Sequence, residues 1–264
     1  MTKIISAHQP NFIPYLGFFD KMAQSDILVI RDEVLFTKSD WHHRNSIRVN
    51  SEDNVNNPRS KWLTVPVQDP YDYILHVPIK RDVKEKNKSW NQIMIQDIKN
   101  QYQKTPFFSE VFPELEQIMN NTDEKLVTLN MKIIFWLANR FGIQTRIVMA
   151  SELGLKPEHY VPSQDKSEAS RDLANICKAL GGDVYLSGAG GREYLDLAPF
   201  EEAGIEVRYQ DYHHPTYQQA FPGFLPNMCA FDALFCLGKF PETPEEQLLI
   251  RNMNISQIIL PGSA

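Results

Sequence analysis

Short runs of β-branched and aliphatic residues alternate along this chain with longer stretches in which apolar residues recur every third or fourth position. The runs predict strands at Lys3–Ala7, Ile27–Arg31, Ser46–Val49, Leu63–Val67, Gln144–Met149, Val184–Ser187 and Ile205–Tyr209, because a short apolar run bounded by turn-forming residues fits a buried strand. The stretches between them predict helices. One opens at Pro14, with Leu16, Phe19, Met22 and Ala23 turned inward; proline's fixed φ suits a first helical position, where no N–H is needed. A second runs from about Lys125 to Phe141 on the stripe Leu126, Leu129, Ile133, Leu137 and Phe141, with Gly142 placed to end it. This alternation predicts an α/β fold with a mostly parallel, Rossmann-like sheet and flanking helices.

Two segments interrupt the pattern. Asn50 to Ser60 is polar and contains Asn-Asn-Pro, so it reads as a loop, and Gln68 to Lys104 is polar and aromatic, the composition of a hairpin plus helix. The expectation is one α/β domain over residues 1–264 with a small inserted subdomain at about 50–120. There is no internal repeat, and the tail after Asn252 reads as a loosely held terminus.

Composition narrows the function classes. A net charge of −6 argues against a general nucleic-acid binder, which shows a basic excess. The three cysteines, Cys177, Cys229 and Cys236, form no C-x-x-C pair, which fits a reducing cytoplasm, and each lies in an apolar stripe that reads as core. No apolar run reaches the ~20 residues that span a bilayer, and no export signal opens the chain. The expected location is the cytoplasm.

In parallel α/β sheets ligands bind beyond the carboxyl ends of the strands. That rule gathers residues far apart in sequence. His8, with Gln9 and Asn11, leaves the first strand and Asp32 leaves the second; Ser187 and Gly188 leave a late strand, and Gln210 to Pro215, including His214, leave the last. The run Ser187-Gly188-Ala189-Gly190-Gly191-Arg192-Glu193-Tyr194 opens a helix, and glycines there let backbone amides approach an anion. In the loop Lys38-Ser39-Asp40-Trp41-His42-His43-Arg44-Asn45, Arg44 can fork onto phosphate or carboxylate, Lys38 adds a mobile charge and Trp41 a stacking face. The adjacent His42 and His43 carry less weight, since neighbours in an extended segment point opposite ways. There is no G-x-S-x-G elbow, no H-E-x-x-H helix and no metal-ligand spacing. No metal or cofactor is required.

His8-Gln9-Pro10-Asn11 with Pro14 and Gly17, Asp26, Asp32, Lys38, Trp41 and Arg44-Asn45, then Tyr185-Leu186-Ser187-Gly188, Gly190-Gly191, Tyr194-Leu195-Asp196, Phe200, Tyr209-Gln210, His214-Pro215, Tyr217, Gln219 and Asp232 resemble the WbqC-like family. The likeness spans nearly the whole chain and is densest in residues 4–48 and 183–238. Members of that family are encoded with bacterial O-antigen and other surface-polysaccharide genes, and some are assigned as glycine or other acyl transferases acting on amino sugars. The resemblance therefore implies an enzyme of glycan decoration that moves an acyl or aminoacyl group onto the amine of a nucleotide-linked amino sugar.

On that implication His8 is the first-choice base and His214 the second, with Asp32 completing the catalytic set. Amides around Gly188, Gly190 and Gly191, or Asn45 and Arg44, would face developing carbonyl charge. Lys38, Arg44 or Arg192 would grip a diphosphate, Trp41 or Tyr194 would stack, and Gln9, Asn11, Ser187 and Gln210 would line the substrate. The partner is a nucleotide-linked sugar or another small molecule, with nucleic acid entering only as a charged tRNA donor; the donor and the oligomeric state are not legible.

A second likeness concerns layout alone. Strand, Pro14-Tyr15-Leu16-Gly17-Phe18, helix, strand is similar to the P-H-x-G-H opening of nucleotidylyltransferases, with Tyr15 and Phe18 where that motif has histidines. The alternatives are accordingly nucleotidyl or adenylyl transfer, or ligase-type chemistry, and a non-catalytic binder of nucleotide sugars or glycan precursors.

Overall fold

The first apolar run forms β1 (Ile4–His8), and helix α1 (Leu16–Ala23) returns the chain to β2 (Ile27–Ile30), parallel and adjacent to it. In this computed structural model, which describes residues 2–68, 72–85, 87–120, 123–155 and 166–241, the chain then leaves the sheet. It forms an antiparallel hairpin, β3 (Arg44–Val49) with β4 (Arg59–Thr64), and then helices α2 (Trp90–Tyr102), α3 (Phe108–Asn120) and α4 (Leu126–Arg140). It re-enters as β5 (Arg146–Met149), passes through α5 (Lys166–Ala179) and adds β6 (Val184–Ser187). The single turn α6 (Gly191–Tyr194), α7 (Ala198–Glu202), β7 (Glu206–Tyr209) and α8 (Phe231–Leu237) follow. The expected tail after Asn252 lies outside the described residues.

The five-strand sheet is parallel throughout, in the order β5-β2-β1-β6-β7. From β1 the chain winds outward one way through β2 and β5, then the other way through β6 and β7. The reversal falls between β1 and β6, the place where such sheets open a crevice at their carboxyl edge.

Alternation along the strands divides the core. Leu28 and Ile30 face the side of α1, α4, α8 and the β3–β4 hairpin, in one cluster with Leu16, Phe19, Ile47, Leu63, Ile133 and Phe231. Ile5, Ala7, Ile27 and Val29 face the side of α5 and α7, with Leu173, Ile176, Tyr185 and Phe200. Burial on both faces is why these strands read as continuous apolar runs.

The runs at Ser46–Val49 and Leu63–Val67 become the hairpin, not members of the sheet, because the connection between them is too short for a parallel crossover. Its second strand starts earlier than the apolar run suggests: Arg59, Ser60, Lys61 and Trp62 are exposed and only Leu63 is buried, so the strand lacks an alternating signal. The expected hairpin plus helix after Gln68 is seen as two short strands, Lys84–Glu85 and Lys88–Ser89, leading into α2. Gly142 ends α4 with φ of 70°.

Candidate functional site

The loop after β1 is tightly braced. Ile13, a β-branched residue with no solvent exposure, adopts φ of 43°, a left-handed conformation that costs free energy and persists only where its surroundings impose it. The Asn45 side-chain amide donates to the carbonyls of Phe12 (3.3 Å) and Ile13 (2.5 Å), and that of Asn130 to the carbonyls of Pro10 (2.6 Å) and His42 (2.7 Å). The Phe12 N–H reaches the Trp41 carbonyl, and Ala230 N–H the Pro14 carbonyl. Asn45 is thus a brace beneath the loop. Helix α1 begins at Leu16, two residues later than Pro14 suggests, with Tyr15 extended ahead of it.

His8 ends β1 on the α1 face, edge-on to Phe18 at 4.9 Å. Its Nδ1 donates to the Gln9 carbonyl at 3.0 Å, which leaves Nε2 as the lone-pair nitrogen. Burial, reinforced by the nearby Lys21 charge, lowers its pKa to about 3, so the ring is neutral at ordinary pH. Lys21 itself is only 5% exposed and donates to the Ala7 carbonyl at 3.0 Å. Burial brings its amine down to about 7. His42, fully buried, accepts the Thr37 N–H on Nδ1 at 3.3 Å, and its Nε2 finds no partner; burial lowers it to about 4. His43 is lowered by burial and by Arg44 and Lys38.

The loops after β6 and β7 close over α1. The Gln210 N–H donates to the Ser187 carbonyl (2.8 Å), and its side-chain amide donates to the Gly17 carbonyl (2.8 Å) and the Asp20 carboxylate (2.5 Å). Burial raises the Asp20 pKa, against hydrogen bonds from Gln210 and Gln24. Tyr212 stands edge-on to Tyr15 at 6.0 Å and His214 lies 5.9 Å from Tyr212. His214 gives Nδ1–H to the Pro215 carbonyl (2.9 Å), while its Nε2 and the Tyr212 hydroxyl are buried without partners. The Ser187 hydroxyl and Asn11 Oδ1 are likewise buried and unpartnered. Unsatisfied buried polar atoms are costly and rare, and these four lie at or just beyond the carboxyl ends of β1, β6 and β7.

The glycine run is tighter than an anion cradle. Gly191, Arg192 and Glu193 direct their N–H groups to the carbonyls of Gly188, Ala189 and Gly190, which removes the Gly191 amide from any oxyanion-holding set. A Cβ on Gly191 would lie 2.0 Å from the Ser187 hydroxyl oxygen, so glycine is needed for the turn to close on β6. Gly188 and Gly190 have open space around them.

Other predicted residues sit elsewhere. The Asp32 carboxylate accepts the N–H (3.0 Å) and hydroxyl (2.6 Å) of Ser151, tying the end of β2 to the turn after β5, on the far side of β1 from β6. A small cavity lined by Ser151, Leu155, Asp172 and Asn175 lies on that side and includes none of the crevice residues. Arg44 donates to the Ser39 carbonyl (2.7 Å) and stacks over Trp62 (4.7 Å), which packs against Trp41 (5.3 Å). Lys38 is exposed beside them. Arg192 lies over the Tyr209 ring at 4.4 Å, and Tyr194 is half exposed.

At the strand reversal, where a crevice is expected, the loop carrying His8, Gln9, Asn11 and Tyr15 thus meets Ser187, Gln210, Tyr212 and His214 through the Gln210 and Tyr15 contacts, and Asp20, Lys21 and Asn130, which motif reading missed, join them. Lys21 gave no signal, since a lysine beside an apolar stripe reads as solvent-facing. Among the described residues no three histidine, cysteine or acidic side chains gather as a metal-binding set, and no helix is long and apolar enough to cross a membrane.

Comparison with known proteins agrees with the residue pattern. The chain is 29% identical over 238 residues to an uncharacterized protein of Mycobacterium tuberculosis, Rv1507c, an alignment covering 89% of this chain and 94% of the other. No solved structure matches it. The model of the WbqC-like protein family matches residues 9–242, from the loop after β1 to beyond α8. That span takes in both sides of the crevice, and the chain belongs to the WbqC-like protein family.

Proposed function

We propose that this protein is a biosynthetic enzyme of bacterial surface-polysaccharide decoration that transfers an acyl or aminoacyl group to the amine of a nucleotide-linked amino sugar. The observation that supports it most is the convergence of a neutral histidine, a buried amine and unpartnered hydroxyl and amide groups at the point where strand order reverses. An attacking amine must lose a proton as its bond to the acyl carbon forms. The Nε2 of His8 carries the lone pair to receive it, because Nδ1–H is committed to the Gln9 carbonyl. The low basicity of His8 in the protein alone reflects burial and the Lys21 charge, and the negative charge of a diphosphate brought in by the acceptor favours the imidazolium that forms as the proton arrives. His214 stands across the same crevice beyond Tyr212 with its own unpartnered Nε2. The Arg44–Trp41–Trp62 stack offers a cationic, aromatic shelf beside the braced loop, suited to a sugar or base ring.

The test is incubation of the purified protein with UDP- and dTDP-linked 4-amino sugars and three donor types: acyl-CoA, glycine with ATP, and glycyl-tRNA. Mass spectrometry should find the acyl increment on the amino sugar, absent from the matched sugar without its amine and strongly reduced in His8→Gln. No acylated product with any donor, together with pyrophosphate release from a nucleoside triphosphate and a sugar phosphate, would overturn the reading in favour of nucleotidyl transfer.

A further inference from the structure

On its β2 side β1 stays paired through His8, whereas on its β6 side pairing stops at Ser6 with Leu186. The His8 carbonyl accepts the Arg31 N–H on the β2 side. Successive carbonyls of a strand point to opposite edges, so the Ala7 carbonyl faces the gap between β1 and β6. Its donor there is Lys21 Nζ, at 3.0 Å. An amine carried on α1 has therefore been inserted at the switch point of the sheet, on the β6 side of β1.

An ammonium has three N–H groups, and among the described residues this one has a single acceptor. Among the described residues it makes no salt bridge: its neighbour Asp20 is engaged by Gln210 and Gln24. The titratable groups near this region are His8 at the end of β1, which feels the Lys21 charge and that of His42, together with Asp20 on α1 and Tyr212 after β7, which feels Asp20. His8 and His42 are neutral at ordinary pH, and the Asp20 carboxylate is taken up by Gln210 and Gln24. A buried amine without a counter-charge is unfavourable unless something negative joins it.

We propose that Lys21 is the anion receptor of the crevice, taking a phosphoryl or carboxylate group of the substrate on the N–H groups that no atom of the described residues satisfies. The proposal rests on the crevice being the substrate site and names the group that anchors substrate in it. When the anion arrives, the amine gains its counter-charge and takes one proton from solvent, so binding and protonation are coupled. The position of the amine near pH 7 in the protein alone makes that uptake visible at mildly alkaline pH.

The test is titration calorimetry of the full chain with inorganic pyrophosphate in one arm and acetate in the other, at about pH 8 and again at about pH 6, in buffers of different ionisation enthalpy. The pyrophosphate arm reports a diphosphate group and the acetate arm the carboxylate of an acyl donor. One arm should bind with proton uptake at pH 8 that fades at pH 6, where the amine is already charged. Lys21→Met should weaken binding on the order of thirtyfold or more and abolish the uptake. Lys21→Arg, permanently charged, should bind without it, and His8→Gln should keep the uptake at pH 8. Equal affinity in Lys21→Met and wild type, binding without proton uptake at pH 8, or no binding in either arm would overturn the proposal. Failure of acyl transfer with the calorimetric result intact would sink the enzymatic reading and leave Lys21 as a receptor.

Discussion

Lys21 crosses from helix α1 to the carbonyl of Ala7, the first group of β1 that β6 leaves unpaired. That contact carries a pH-dependent cost. Between the folded value of about 7 and the ordinary 10.5, the unfolded chain binds a proton on this amine that the folded chain does not, so wild-type stability rises with pH through that window. Below it the full penalty of a buried ammonium is present. Lys21→Met should therefore be more stable than wild type at pH 7 and below, by a few kcal/mol at about 1.4 kcal/mol per pK unit. The gain should shrink towards pH 10 and reverse there, where the variant leaves the Ala7 carbonyl without its donor. Denaturant unfolding across pH checks this.

His8 shifts stability in a lower window. Its folded pKa of about 3 lies below the ordinary 6.5, so as pH falls from 6.5 to 3 the unfolded chain takes up a proton first and the folded state loses stability. His8→Gln removes this contribution. The stability of wild type minus that of His8→Gln should fall on acidification through that range, by up to a few kcal/mol. A constant difference across it would mean that His8 is solvated.

The contact between Gly191 and Ser187 predicts a non-additive pair. Gly191→Ala places a methyl against the Ser187 hydroxyl, and overpacking of this kind costs about 1–3 kcal/mol. Ser187→Ala removes the oxygen and leaves the Ser187 Cβ at 3.1 Å, a contact small shifts can absorb. The double variant should be less destabilised than the sum of the singles, which a double-mutant cycle of urea midpoints measures.

Asn45→Ala should destabilise the protein by about 1–3 kcal/mol, because two buried carbonyls lose their donor and the left-handed Ile13 loses its brace. Hydrogen exchange should quicken first in residues 9–15. Loss of substrate binding with unchanged exchange in that loop would instead assign Asn45 to the ligand.

The parallel sheet is legible because β2 and β6 are buried on both faces, so β2 is apolar throughout and β6 up to Ser187 at its end. The hairpin is not, because exposed Arg59–Trp62 carry no alternation and only the short link between the strands excludes a parallel crossover. At the site, the rule that ligands gather at strand ends finds His8, Ser187, Gln210 and His214, and their loops do meet. It also nominates Asp32, which the structure ties to Ser151, since strand-end position says nothing of which side of the switch a strand takes. Lys21 escapes sequence reading for a physical reason. Periodicity assumes that one face of α1 meets water, whereas Gln210 covers Asp20 and Lys21 turns onto the Ala7 carbonyl at the edge of β1, so both are buried with the apolar stripe.

On the function proposed above, substrate lies at the gap between β1 and β6. Hydrogen-exchange mass spectrometry of the full chain, with and without a saturating UDP- or dTDP-linked 4-amino sugar, tests it most directly. The account predicts slowed exchange in residues 8–15, 187–194 and 210–214 together, lost in Lys21→Met. Slowed exchange confined to the Ser151 side of the sheet, with those three segments unchanged, would contradict it.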